Sequence, residues 1–301
     1  MGSTVRRPLS TAFLLLTMCQ LCLAEQAQQP PAMSVQKIRD NIYMVKGGSG
    51  ANAGVFISDK EVVVIDAKMT AESARQMIEE IKKLTTAPIT RVILTHSDRD
   101  HVNGLAGFPR GLTIIAQTQC QKEMEEAFKD PALAHLREYL PTHDYEVSSM
   151  RTAWVGLEID PEQYRLFHFG PAHTSGDTVV WFPMAEVAFI GDLAFVGRDP
   201  LVHRQKGGTS LGYAATLKKI IELGAETYVS GHSDPLTTAD LEGLLSAIKE
   251  KQAKVKALIA EGKSFEDIKT AFGIADQAGG TGGRRFPSLV EVIYLDLTEK
   301  K

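Results

Sequence analysis

Thr95-His96-Ser97-Asp98-Arg99-Asp100-His101 follows directly on the expected strand 91–94 and puts four residues able to bind a metal within six positions. On an extended segment side chains repeat every two residues, so His96 and Asp98 point the same way. A turn after Asp98 brings Asp100 and His101 to an adjacent point, and one short loop can then serve two metals. A single His or Asp in a loop is ordinarily a packed or turn-forming residue. Four ligand-type residues in one loop, with more at distant strand ends, argue by context for a metal site.

Three further ligand candidates lie far downstream: His173 in Gly170-Pro171-Ala172-His173-Thr174, Asp192 in Ile190-Gly191-Asp192, and His232 in Ser230-Gly231-His232. Each follows or ends an expected strand. Apolar patterning predicts a strand or hairpin over 35–45 and strands over 55–57, 62–65, 91–94, 112–116, 164–169, 178–182, 187–190 and 228–229. Helical spacing predicts helices over 71–84, 118–128, 211–223 and 236–260. Residues 290–297 read as a last apolar alternation behind a Gly-rich loop at 279–283. Residues 130–156 are less regular, with Pro131, Pro141, Tyr139, Tyr145 and Trp154, and read as a lid or a wall. Strands and helices in both halves imply a two-sheet core with helices outside. In open α/β sheets the carboxyl ends of strands are the usual place for a site, which is where the polar clusters fall.

This pattern resembles the metallo-β-lactamase superfamily, whose motif is His-x-His-x-Asp-His followed by a His, an Asp and a final His at long intervals. The likeness spans about residues 35–297. It implies an α/β fold, a four-layer αβ/βα sandwich of two mixed β-sheets with helices on the outer faces, formed by residues 33–301 as a single catalytic domain. It also implies two divalent metal ions, zinc first among them. Carried across residue by residue, His96, Asp98 and His173 would hold one metal, Asp100, His101 and His232 the other, and Asp192 would bridge them. Asp98 departs from the pattern, since most members have a His there. A carboxylate is a harder ligand and shifts preference toward iron or manganese, and flavodiiron proteins of the same superfamily also carry a carboxylate at this position.

The activity so implied is metal-dependent hydrolysis, because the pKa of a zinc-bound water falls to about 7. The metal-bound hydroxide would open a cyclic amide or ester, a β-lactam or a lactone, or a related ester. Asp100 is the catalytic candidate, orienting the water or passing a proton to the leaving group. Asp66, which closes the strand 62–65, either supports a ligand His from behind or shapes a turn. Two other readings stand beside this one: an iron-dependent redox enzyme of flavodiiron-like site type, motivated by Asp98, and a metal-poor binding module on the same fold. The loop 197–212 offers His203, Arg204, Lys206 and Ser210 either to a substrate anion or to solvent, and Tyr213 either walls a pocket or packs.

Composition narrows the setting. The chain has 301 residues, 44% of them hydrophobic. Arg6 and Arg7, an apolar stretch at 12–23 and Ala24 read as a signal peptide over residues 1–24, followed by a polar tether over 25–32. The expected destination is periplasmic or secreted. The apolar stretch, interrupted by Thr17 and Gln20, falls short of the roughly 20 residues a spanning helix needs, so no stable membrane insertion is expected after cleavage. Cleavage removes Cys19 and Cys22 and leaves Cys120, expected to be a small buried apolar residue. It also lowers the 33 basic residues to 31 against 37 acidic ones, a formal charge of −6. Nucleic-acid binders concentrate Lys and Arg, so the expected partner is a small-molecule substrate and no nucleic acid.

Overall fold

The computed structural model describes residues 31–146, 164–274 and 286–299, together with Gly2. The rest of the expected signal segment, residues 25–30 of the tether, residues 147–156 with Trp154, and the loop 279–283 lie outside the described residues.

The chain enters a hairpin of β1 (Ser34–Arg39) and β2 (Ile42–Lys46), turned at Asp40 with a positive φ of 45°. It continues through β3 (Ala53–Ile57) and β4 (Val62–Ile65), both antiparallel to their predecessors. Helix α1 (Ala71–Lys82) then crosses over to β5 (Ile89–Ile93), which runs parallel to β4. After the short α2 (Arg99–Val102), β6 (Thr113–Gln117), α3 (Thr118–Ala127), a 3-10 helix (Pro131–Tyr139) and β7 (His143–Tyr145) complete a seven-stranded sheet in sequential order. The second sheet has the order β11 (Thr227–Ser230), β10 (Val187–Gly191), β9 (Val179–Phe182), β8 (Arg165–Phe167), with β10 and β11 parallel and joined by α4 (Ser210–Glu222). Three more helices follow: α5 (Thr238–Ala260), α6 (Phe265–Ala271) and α7 (Leu289–Thr298). Among the described residues no helix is long and apolar enough to cross a membrane.

Period-two alternation within the strands builds four layers. Val62 and Val64 of β4 pack with Ala74, Met77 and Ile81 of α1 and Met124 of α3. Val63 and Ile65 point the other way, into a core shared with Val180, Phe182, Val187 and Phe189 of the second sheet. Ala188 and Ile190 face a third cluster supplied by α4, α5, α6 and α7. Both sheets are therefore buried on two faces, which explains why β4 and β10 are apolar throughout. The order helix, mixed sheet, mixed sheet, helix matches the expected αβ/βα sandwich.

Local signals set the helix ends. The Thr70 side chain caps α1 and Thr237 forms a capping box with Asp240 at α5. The expected start of that helix at 236 is corrected to Thr238, because Leu236 bridges to Tyr228 instead. Helix α6, which the periodicity did not single out, starts from the capping box of Ser264 and Asp267. The alternation at 290–297 is a helix, not a strand: Ser288 caps it, and Leu289, Val292 and Ile293 fall on one buried face. Of the irregular stretch, the described part is anchored to the fold at two side chains. Leu136 is fully buried, and Tyr145 in the core shares a 2.7 Å hydrogen bond with Thr178. Cys120 is buried in the helix-side core, and burial pushes its thiol well up from the ordinary value.

Candidate metal centre

Strand β5 ends at Ile93, the chain bends at Thr95, and Asp98, the residue before α2, is extended with φ −69° and ψ 145°. His96 and Asp98 meet on one side, with His96 Nε2 3.6 Å from Asp98 Oδ2. The helical turn of α2 then carries Asp100 and His101 round to the adjoining position, where His101 Nε2 is 3.7 Å from Asp100 Oδ2.

The remote candidates arrive from the second sheet. Asp192 follows β10, and its carboxylate lies 3.3 Å from His101 Nε2, 3.3 Å from His232 Nε2, 3.8 Å from His173 Nε2 and 4.0 Å from His96 Nε2. His232 follows β11 and reaches Asp100 Oδ2 at 3.1 Å. His173 lies before β9, its Nε2 3.2 Å from Asp98 Oδ2. All seven residues singled out in the sequence meet at one place, at the carboxyl ends of β5, β10 and β11 and on the loop before β9. Their side-chain donor atoms form three groups each able to hold a cation: His96 with Asp98 and His173, Asp100 with His101 and His232, and His96 with His101 and Asp192.

Hydrogen bonds behind the imidazoles fix which nitrogen faces inward. The Leu201 carbonyl lies 2.9 Å from His173 Nδ1 and can only accept, so Nδ1 carries the proton. Thr95 donates its hydroxyl proton to Asp66 at 2.7 Å, so at 3.0 Å it accepts from His96 Nδ1. His101 Nδ1 donates to Asp66 at 2.7 Å. In each ring Nε2 faces the centre, the arrangement by which an outer carboxylate or carbonyl orients a metal-binding histidine. Asp66 is thus the support behind a histidine that the sequence left open against a plain turn residue.

His96 Nε2, His101 Nε2 and Asp192 Oδ1 are buried with no hydrogen-bond partner among the described residues. Buried polar atoms are seldom left so, and a cation between them would satisfy all three. Gly231 keeps the space open: a Cβ there would lie 2.4 Å from Asp192 Oδ1 and 2.8 Å from His101 Cε1. The residues present fit a divalent cation.

Charge agrees with geometry. Burial opposes ionisation of Asp98, Asp100 and Asp192, yet the surrounding imidazoles hold all three below the usual carboxylate range. Burial also opposes charge on His101 and His173. The carboxylates of Asp66 and Asp192 outweigh it at His101, which rises well above the ordinary value, and Asp98 carries His173 up to about 9. Hydrogen bonds to Asp100 and Asp192 raise His232 to about 9, whereas burial and the neighbouring His101 push His96 down to about 4. Three ionised carboxylates draw positive charge into the site, as protons or as metal.

In the loop 197–212 the four side chains singled out in the sequence make contacts within the protein. His203 Nε2 and Lys206 Nζ both bind Asp98, at 2.8 and 2.6 Å. Arg204 pairs with Asp296 and Glu299, and Asp296 also accepts from Ser210. Tyr213 is core, its hydroxyl donating to the Asp192 carbonyl at 2.9 Å. The sequence also passed over Asn52, whose side chain donates to the Ser230 and Ser233 carbonyls and so shapes the turn carrying His232. These partners come from loops without periodicity, and only the tertiary fold makes them neighbours.

A two-sheet sandwich with a His- and Asp-lined site at its strand ends defines a class of metalloprotein, and the family model of the metallo-beta-lactamase superfamily matches residues 47–232, so the chain belongs to that superfamily. It is 27% identical over 253 residues to metallo-beta-lactamase type 2 of Elizabethkingia meningoseptica, covering 76% of this chain and 90% of the relative. It is 23% identical over 218 residues to the 2,4-dinitroanisole O-demethylase subunit alpha of Nocardioides sp. (strain JS1661), covering 70% of this chain and 61% of that one. The alkyl/aryl-sulfatase BDS1 of Saccharomyces cerevisiae is 31% identical over 86 residues, 28% of this chain and 13% of the relative.

Proposed function

We propose that this chain is a dinuclear metal-dependent hydrolase that opens a cyclic amide or ester, a β-lactam or a lactone, or a related ester. The observation that carries the reading is the convergence of seven candidate donor side chains, three of them with buried atoms that a cation between them would satisfy. His96, Asp98 and His173 would hold one ion, Asp100, His101 and His232 the other, with Asp192 between. Zinc is the ion proposed first, and iron or manganese the alternative at the position of Asp98.

Bound there, two divalent ions would supply a water that loses its proton near neutral pH and a centre that polarises the substrate oxygen. The chain's own part is orientation and proton handling. Asp66, Thr95 and the Leu201 carbonyl hold the imidazoles with Nε2 inward. Asp100, the most open of the three carboxylates at 28% exposure, orients the attacking water or passes a proton to the leaving group. The similarity to a metallo-beta-lactamase over 90% of that protein's length supports the cyclic-amide option, and the aspartate at the bridging position supports the ester option. The leader pattern at residues 1–24 supports export to the periplasm or beyond.

The test is elemental analysis and intact mass of protein purified from its native export route without chelator or added metal, followed by a screen of β-lactams, lactones and esters. The expected result is two zinc equivalents, a mass starting near Glu25, and turnover of one of these classes. Absence of metal overturns the reading. Stoichiometric iron with oxygen consumption in the presence of a reductant replaces it with the redox alternative.

A further inference from the structure

The two oxygens of Asp98 are divided between different partners. Oδ2 faces the imidazoles, 3.2 Å from His173 Nε2, 3.6 Å from His96 Nε2 and 2.8 Å from His203 Nε2. Oδ1 is taken by Lys206 Nζ at 2.6 Å. The ammonium also donates to Ser97 Oγ at 2.7 Å, and Ser97 passes its own hydroxyl proton to Glu123, which accepts from Ser175 at 2.9 Å through its other oxygen.

The main chain of Lys206 is fixed as firmly as its side chain. The lysine ends a 3-10 turn, Arg204–Lys206, stopped by Gly207 in the left-handed conformation at φ 72°. That turn docks on the loop carrying His173: Ser175 donates to the Lys206 carbonyl at 2.7 Å, and His203 donates to the His173 carbonyl at 2.8 Å. Gly208 permits the approach, since a Cβ there would sit 2.3 Å from the His173 carbonyl oxygen. Lys206 thus ties the loop of His96 and Asp98 to the loop of His173, the two segments proposed to hold the first ion.

Charge and donor count give this tie a consequence. An aspartate in place of an imidazole adds one negative charge, and the adjoining ammonium restores the balance. A free carboxylate offers two oxygens and suits harder ions of higher coordination number, whereas zinc takes four ligands and is well served by one donor atom from each residue.

We propose that Lys206 is a positioning residue that sets metal preference: by occupying Oδ1 it reduces Asp98 to a one-oxygen donor in the place of an imidazole, and so keeps the first position for zinc against manganese and iron. This rests on the two-ion reading above.

The test is a displacement titration on the intact protein loaded with zinc, dialysed against a zinc buffer with increasing manganese, with both metals measured per chain. In wild type two zinc equivalents persist until manganese is in large excess, and the displacement of the first sets the reference midpoint. In Lys206→Met the manganese needed to displace half of one equivalent falls at least tenfold, and the second equivalent is unmoved. Lys206→Gln is the second variant, read the same way should the Met variant not fold. In an Asp98→His background, where no second oxygen exists, Lys206→Met shifts the midpoint less than twofold. An equal shift there, or a midpoint within twofold of wild type in the Asp98 protein, overturns the proposal. Wild-type protein that takes up no second metal overturns the two-ion reading instead.

Discussion

Asp66 holds two parts of the site with one carboxylate: Oδ1 accepts the Thr95 backbone N–H at 2.8 Å, and Oδ2 accepts from Thr95 Oγ1 and His101 Nδ1, both at 2.7 Å. It does so from a positive φ of 63°, a region where Asp is better tolerated than most residues. Asp66→Ala leaves a buried N–H without its acceptor, a loss of about 1–3 kcal/mol in stability, and frees the His101 ring, a loss of about 10–100-fold in metal affinity. Zinc titration against a competing chelator reads the second effect, and an unchanged affinity would refute the support role. At this scale the ligand-type residues were legible from the sequence, because metal chemistry restricts the side chains to His and Asp at strand ends. Asn52 was passed over, and His203 and Lys206 were singled out without their partner Asp98, because a lysine, a histidine or an asparagine in a loop carries no spacing that names its partner.

Strand parity explains how the elements present those residues. Between the sheets, β3 and β10 approach so closely that a Cβ on Gly54 would lie 2.5 Å from the Phe189 ring. Gly54→Ala is expected to destabilise by about 1–3 kcal/mol through overpacking, and to loosen the seat of Asp192, three residues beyond Phe189. Chemical denaturation measures the first effect, and a midpoint equal to wild type would show that the sheets can part at no cost. The strands were readable because four-residue apolar runs bounded by turns persist in β4 and β10. Helix α7 was misread for a physical reason: in Val-Glu-Val-Ile-Tyr-Leu-Asp-Leu apolar residues satisfy both a two-residue and a 3.6-residue period. Packing against α4, α5 and α6 decided between them. Helix α6 was too short to show a period, and only its Ser264–Asp267 cap announces it.

For the molecule as a whole, metal binding and folding should be linked, since both sheets and the 197–212 loop contribute to one cluster of charges. A ligand bound at 100 times its Kd stabilises the native state by about 2.7 kcal/mol, and each kcal/mol moves Tm by about 2–4 °C in a domain of this size. Chelator is therefore expected to lower Tm by about 5–10 °C, with zinc restoring it, as followed by calorimetry. A Tm that chelator leaves in place would mean the native state holds no metal. The sequence by itself determined the class of fold and singled out the seven candidate donor residues, because apolar periodicity and ligand chemistry are local properties written in residue type and spacing. Only the tertiary structure decided that these residues meet, which nitrogen of each imidazole faces inward, and that Asp98 shares its charge with Lys206. Those outcomes depend on distances between segments up to 136 positions apart in the chain, from His96 to His232, which burial and strand pairing set and no local pattern encodes.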